Sequence, residues 1–160
     1  MRVLCTVALM SVTVASAAVT EASPPASSDA ANAALLAQEQ QSVQAVCGSQ
    51  CHRIELFATA RKSYEDWHET VQKMVDRGAS GTDDQFLDIM DYLYRTQTII
   101  DVNAAAPEDL QIVLDASAAQ AQAIVARRAK TKFTSLADLK SVSGLDAAKL
   151  DAKADFLVFQ

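Results

Sequence analysis

Apolar side chains recur at helical spacing along two stretches of the middle of the chain, and these set the first elements. Tyr64, Trp67, Val71, Met74 and Val75 share one face after Ser63, which can cap a helix with Asp66 three residues on as its partner. Asp76-Arg77-Gly78-Ala79 ends that helix. A second start falls at Thr82, with Asp83 and Asp84 near the positive helix end, and Phe86, Ile89, Met90 and Leu93 make its stripe up to about Leu93 to Arg95. Thr98 to Val102 reads as a short extended stretch. Beyond it the pattern predicts short helices over Pro107 to Leu114, Ala118 to Arg128, Ser135 to Lys140 and Asp146 to Phe156, with strand content near zero. The expected fold class is all-α, with a three-helix unit followed by a second helical unit.

The N-terminal part is patterned differently. Arg2, an apolar run through Val14, and Ala15-Ser16-Ala17 form a basic start, a short hydrophobic core and a small-residue cleavage site, which reads as a secretory signal over residues 1–17. The run is shorter than the roughly 20 residues a membrane helix needs. Residues 18–40 are poor in large apolar side chains and contain Pro24-Pro25, so they read as a flexible linker, with an Ala- and Gln-rich helix from about Ala33 to Val46 leading into Cys47. The expected layout is a signal peptide over 1–17, a linker over 18–40, a first domain over 41–97 and a second over 98–160.

Charge and cysteine content narrow the chemistry. The chain has 14 basic and 20 acidic residues, and removing Arg2 with the signal takes the basic count to 13 and the net charge from −6 to −7. Such a protein is a poor default binder of nucleic acid. Cys5 would leave with the signal, so the mature chain keeps Cys47 and Cys51, which in an oxidising compartment serve as a disulfide, a metal site or a cofactor anchor. A Cys47–Cys51 disulfide would close a very small loop and stabilise little. Zinc is poorly served, because only His68 and carboxylates could supplement Cys47, Cys51 and His52. In Cys47-Gly-Ser-Gln-Cys51-His52 two thiols on adjacent turns are followed at once by an imidazole, the arrangement of c-type haem attachment with three residues between the cysteines in place of two.

With Trp67, Val71, Met74-Val-x-Arg-Gly-Ala79 and Ile89-x-x-Tyr92-Leu93, this motif resembles the haem-binding segment of small c-type cytochromes. The resemblance implies haem c held by Cys47 and Cys51, with His52 as one axial iron ligand. It implies Met74 as the other, since a methionine before the last helix fills that position and Met74 lies 18 residues ahead of Tyr92. Met90, on the packing stripe, and His68 are the lesser candidates. The implied protein is a periplasmic electron carrier with no enzymatic activity, working with a protein redox partner or within a larger complex.

Residues 101–160 resemble the helix-hairpin-helix module of competence-type DNA receptors, through Val102-Asn-Ala-Ala-Ala-Pro-Glu-Asp-Leu110, Ala121-x-Ala-Ile124-Val-x-x-Arg127, Phe133-x-Ser-Leu-x-Asp-Leu139 and Val142-Ser-Gly-Leu145. In that family glycines in each hairpin turn let backbone N–H groups approach DNA phosphates. Here the first turn reads Leu114-Asp115-Ala116-Ser117-Ala118 without glycine, and Asp146 follows Gly144 in the second. Eight acidic residues in the segment face seven basic ones, little of what phosphate binding requires. Arg127, Arg128, Lys130 and Lys132 are expected to be a solvated helix end, and the module a docking element. The alternatives are a periplasmic DNA-binding protein whose cysteines form a disulfide, or a structural subunit of a larger complex without cofactor.

Overall fold

The computed structural model describes residues 28–48 and 52–160. The expected signal peptide, the linker up to residue 27 and Cys51 lie outside the described residues. Among those described there are seven α-helices and one pair of two-residue strands, a mostly helical fold.

Helix α1 (Ser28–Val43) continues through a π turn, Gln44–Gly48, that carries Cys47. It begins well inside the stretch expected to be a flexible linker, so residues 28–40 are a helix packed on its neighbour. The reason lies in its inner face, where Glu39 and Ser42 are buried beside Val43 and Val46. Their contacts are polar: Glu39 pairs with Arg95 at 3.0 Å, and Ser42 Oγ donates to Asp88 at 2.7 Å. Ala and Gln favour the helix along the rest of its length.

Helix α2 (Tyr64–Asp76) starts at Ser63, whose side chain accepts from the Asp66 N–H. Helix α3 (Asp83–Gln97) starts in a reciprocal capping box between Thr82 and Gln85, and runs past Arg95 to Gln97. Helices α1, α2 and α3 enclose a core of Val43, Val46, Trp67, Ile89 and Leu93. Three helices build the first unit, but the first of them lies before Cys47, so the expected three-helix block from Cys47 to about Gln97 holds only two α-helices, joined to the π turn by the short 3-10 segment Ile54–Leu56.

Strand β1 (Ile100–Asp101) then pairs in parallel with β2 (Leu157–Val158), Ile100 opposite Leu157. Between them lie α4 (Pro107–Leu114), α5 (Ala118–Arg128), α6 (Leu136–Lys140) and α7 (Ala147–Ala152). The expected helix to Phe156 stops at Ala152 and gives way to a 3-10 turn, Ala154–Phe156, and then β2. Pairing with β1 draws the chain end into extended form, so the second unit is closed by a short parallel ladder. Its core holds Leu110, Val113, Ala121, Ile124, Leu139 and Leu150, apolar positions of the helical pattern, with Val102 and Phe133 from the segments between elements.

No helix among the described residues is long and apolar enough to cross a membrane.

Candidate functional site

The first unit does not pack solid. A cavity of about 350 Å³ opens between the end of α1 and the facing sides of α2 and α3, walled by Val46, Trp67, Val71, Phe86, Ile89 and Leu93. Its lining is almost wholly apolar, and its volume falls within the roughly 300–1,000 Å³ common to cofactor sites. Cys47, His52 and Met74 all line it. Two residues of one motif, Cys47 and His52, and Met74 on α2 therefore face one space.

Each is held by a local device. Cys47 sits half-buried on the π turn ending α1, and burial pushes its thiol above the ordinary range. His52 stands edge-on to Phe57 with ring centroids 6.0 Å apart, and its Nδ1 lies 3.3 Å from the Arg53 carbonyl oxygen. With the proton on Nδ1, that contact is a donated bond and leaves Nε2 as a lone-pair donor, the arrangement metal-binding histidines use. Met74 lies in the last turn of α2, where its carbonyl accepts from Arg77 N at 3.1 Å and from Ala79 N at 2.9 Å. Gly78 makes that closure possible with φ +97°, a conformation side chains resist, although a Cβ there would meet nothing.

Neither lesser ligand candidate reaches the cavity lining: Met90 packs against the helical core, and His68 is exposed on α2. Sequence reasoning missed Leu56, Phe57 and Arg77, which also line it. The apolar triplet Ile54-x-Leu56-Phe57 directly after His52 was the available signal, and Leu56 is 75% exposed, far beyond what a core residue shows. Among the described residues no group of three or more His, Cys, Asp or Glu side chains gathers to hold a metal ion.

The second unit forms two hairpins, α4 with α5 and α6 with α7. Asp115 takes the left-handed position of the first turn with φ +51°, and Gly144 that of the second with φ +88°. The helix starts beyond these turns are already satisfied: Ser117 and Gln120 form a capping box on α5, and the Asp146 carboxylate accepts from Ala148 N and Lys149 N on α7. The Asp115 carboxylate accepts from Lys149 Nζ at 2.7 Å and from Asn32 of α1 at 2.9 Å, bringing the two turns together beneath α1. The Gln120 amide also donates to the Gly144 carbonyl. Within the basic run, Arg127, Arg128 and Lys132 donate to the carbonyls of Thr131, Val102 and Gln160.

Residues 95–158 match the helix-hairpin-helix motif family, and this part of the chain carries such a motif. The match leaves most of the cavity-forming unit outside it. No curated protein and no solved structure matches the chain.

Proposed function

We propose that the chain is an exported, periplasmic monohaem c-type cytochrome that carries electrons to or from a protein partner, with the helix-hairpin-helix unit as docking element. The observation that carries this reading is the convergence of Cys47, His52 and Met74 on one apolar cavity. The donor set fits the group: a thiol for covalent attachment, an imidazole with Nε2 available, and a neutral thioether. Haem, when bound, supplies the one-electron couple. Cys47 and Cys51 would each add a thiol across a vinyl group, forming a carbon–sulfur bond while the thiol proton ends on the neighbouring carbon. His52 and Met74 would hold the iron through an imidazole nitrogen and a thioether sulfur, and a neutral thioether would favour its reduced state. Trp67, Val71, Phe86 and Ile89 exclude water. With His52 and Met74 both committed to holding the group, the reading is of an electron carrier.

A second reading, a periplasmic DNA-binding protein with a Cys47–Cys51 disulfide, is favoured by the helix-hairpin-helix match. Against it stand the acidic Asp115 and Asp146 at the two turns and the three basic side chains already committed to backbone carbonyls. Across residues 101–160 eight acidic residues outweigh seven basic ones, a poor balance for neutralising phosphates.

The test is to export the protein from a host with c-type attachment machinery, record oxidised and reduced absorption spectra, and take an intact mass after denaturation. Covalently retained haem, lost when Cys47 and Cys51 are both changed to serine, is the expected result. A colourless protein lighter by two hydrogens overturns it. Salt-sensitive retention of that protein on duplex DNA would then support the second reading, and no retention would leave a structural subunit.

A further inference from the structure

Helix α1 has one inner face, and its two halves are held differently. Asn32, Leu36, Glu39 and Val43 stand on that face at spacings of four, three and four. In the second half Glu39, Ser42 and Val43 are buried, and Glu39 is pinned to Arg95 of α3. From Ala30 to Gln38 no residue is buried: Leu36 alone is partly covered, and Leu35 is 39% exposed. Ala and Gln favour helix there, but a helical piece this short is marginal by itself in water. Contact with the second unit holds it in place.

That contact falls on the hairpin turns. Asn32 Nδ2 donates to Asp115 Oδ1 at 2.9 Å, and Lys149 Nζ of α7 reaches the other carboxylate oxygen at 2.7 Å. Asn32 walls one side of a groove of about 470 Å³ whose other sides are the two turns, with Asp115, Ser117, Gln120, Asp146 and Lys149 in its lining. We infer that the first half of α1 is a releasable strap over the hairpin turns. The turn face is an internal docking site occupied by this chain's own helix, and an outside partner reaches it only after the strap swings off. Asp115 is the catch: its backbone is left-handed, with φ +51°, where glycine would sit without strain, and the carboxylate placed there gives the strap its acceptor. A segment held by exposed polar contacts, with little apolar burial, opens locally at far less cost than global unfolding. None of residues 30–38 lines the cavity of the first unit, so the strap works alike with that cavity empty or filled.

The test is amide hydrogen exchange on the full chain, comparing the parent with Asn32→Asp, Ala33→Asp and the double variant Asn32→Asp, Asp115→Asn. In the parent, residues 30–38 should exchange faster than residues 39–46 yet slower than an unstructured peptide. Asn32→Asp sets two carboxylates against each other and should speed exchange over residues 30–38 about fivefold, the factor that a net hydrogen bond of ordinary strength supplies. An acidic residue near a helix start otherwise favours the helix, so this acceleration reports the lost contact. Ala33→Asp puts the same charge one residue round, outside the groove lining, and should not accelerate exchange. The double variant swaps donor and acceptor on a left-handed backbone that asparagine tolerates, and should bring exchange back to within about twofold of the parent. Equal exchange in Asn32→Asp and the parent, or an equal acceleration in Ala33→Asp, overturns the inference. So does a parent whose residues 30–38 exchange like free peptide, or as slowly as residues 39–46.

Discussion

Met74 and Met90 are both half-buried methionines on the first unit's helices, and truncating each to alanine separates ligand from filler. A fully buried methionine costs about 2–5 kcal/mol on truncation. Met90 packs against the helical core with part of its surface exposed, so Met90→Ala should cost about 1–2 kcal/mol. Met74 faces an open cavity and lacks neighbours on that side, so in the haem-free protein Met74→Ala should cost about 1 kcal/mol. Stability alone therefore ranks Met90 as equal or more important. In a haem-loaded protein of the kind proposed, the order should reverse. Axial ligands set haem potentials over a range of about 0.8 V, so losing a thioether should lower the potential by hundreds of millivolts, with a visible change in ligation. Met90→Ala should leave both the potential and the spectrum unchanged. The assay is denaturant unfolding of both variants without haem, followed by potentiometric titration of both with it. Equal potential shifts, or a larger one for Met90→Ala, would refute the assignment of Met74.

Two further outcomes follow from the polar contacts. Burial holds the Glu39 carboxyl above its ordinary range, with the Arg95 guanidinium pulling the other way and Asp91 and Asp88 adding to the rise. The folded state therefore binds this proton more tightly than the unfolded one. That contribution to stability is present below the unfolded pKa and is lost as pH rises through the folded value. Glu39→Gln should flatten the fall in melting temperature above the ordinary carboxylate range, and an unchanged pH profile would contradict it. At Asp115, alanine should cost about 1–2 kcal/mol, because left-handed backbone penalises a side chain that cannot bond locally. Glycine removes the same exposed pair with Lys149, worth about 0–1 kcal/mol, but accepts the backbone, so it should be within about 1 kcal/mol of the parent in chemical denaturation.

The legible parts of the fold were those where burial and apolarity coincide. Helices α4 and α5 have the expected bounds because Leu110, Val113, Ala121 and Ile124 are both apolar and buried, and Pro107 and Ser117 mark their starts. A helix over about Ala33 to Val46 was legible, but the earlier start of α1 and its packing were not, because its buried face is built from Glu39 and Ser42 as well as valines, and a buried glutamate paired across helices looks in sequence like a solvated one. The chemical residues of the cavity were visible through spacing and donor type. Arg77 was read as part of a helix stop, and nothing in sequence separates a stop residue from a rim residue, since both stand directly before a turn glycine. Leu56 and Phe57 lay in a 3-10 segment with no periodicity to place them.

The domain cut expected between residues 97 and 98 runs through contacts that make the two units mechanically one. The Tyr94 hydroxyl donates to Asp109 of α4, and the Arg95 carbonyl accepts from Lys153 while the same residue's guanidinium holds Glu39 of α1. Gln97 carries the link furthest. Its carbonyl accepts from the indole N–H of Trp67, a cavity wall, at 3.1 Å, and its side-chain oxygen accepts from Arg61. Arg61 in turn stacks 4.2 Å above the Phe156 ring near the chain's end. Each bond in this set is worth about 0.5–1.5 kcal/mol, but several together fix the last turn of α3 from both sides. The family match beginning at residue 95 falls on that same turn. The hairpin unit thus buttresses the α3 and Trp67 walls of the cavity through these contacts.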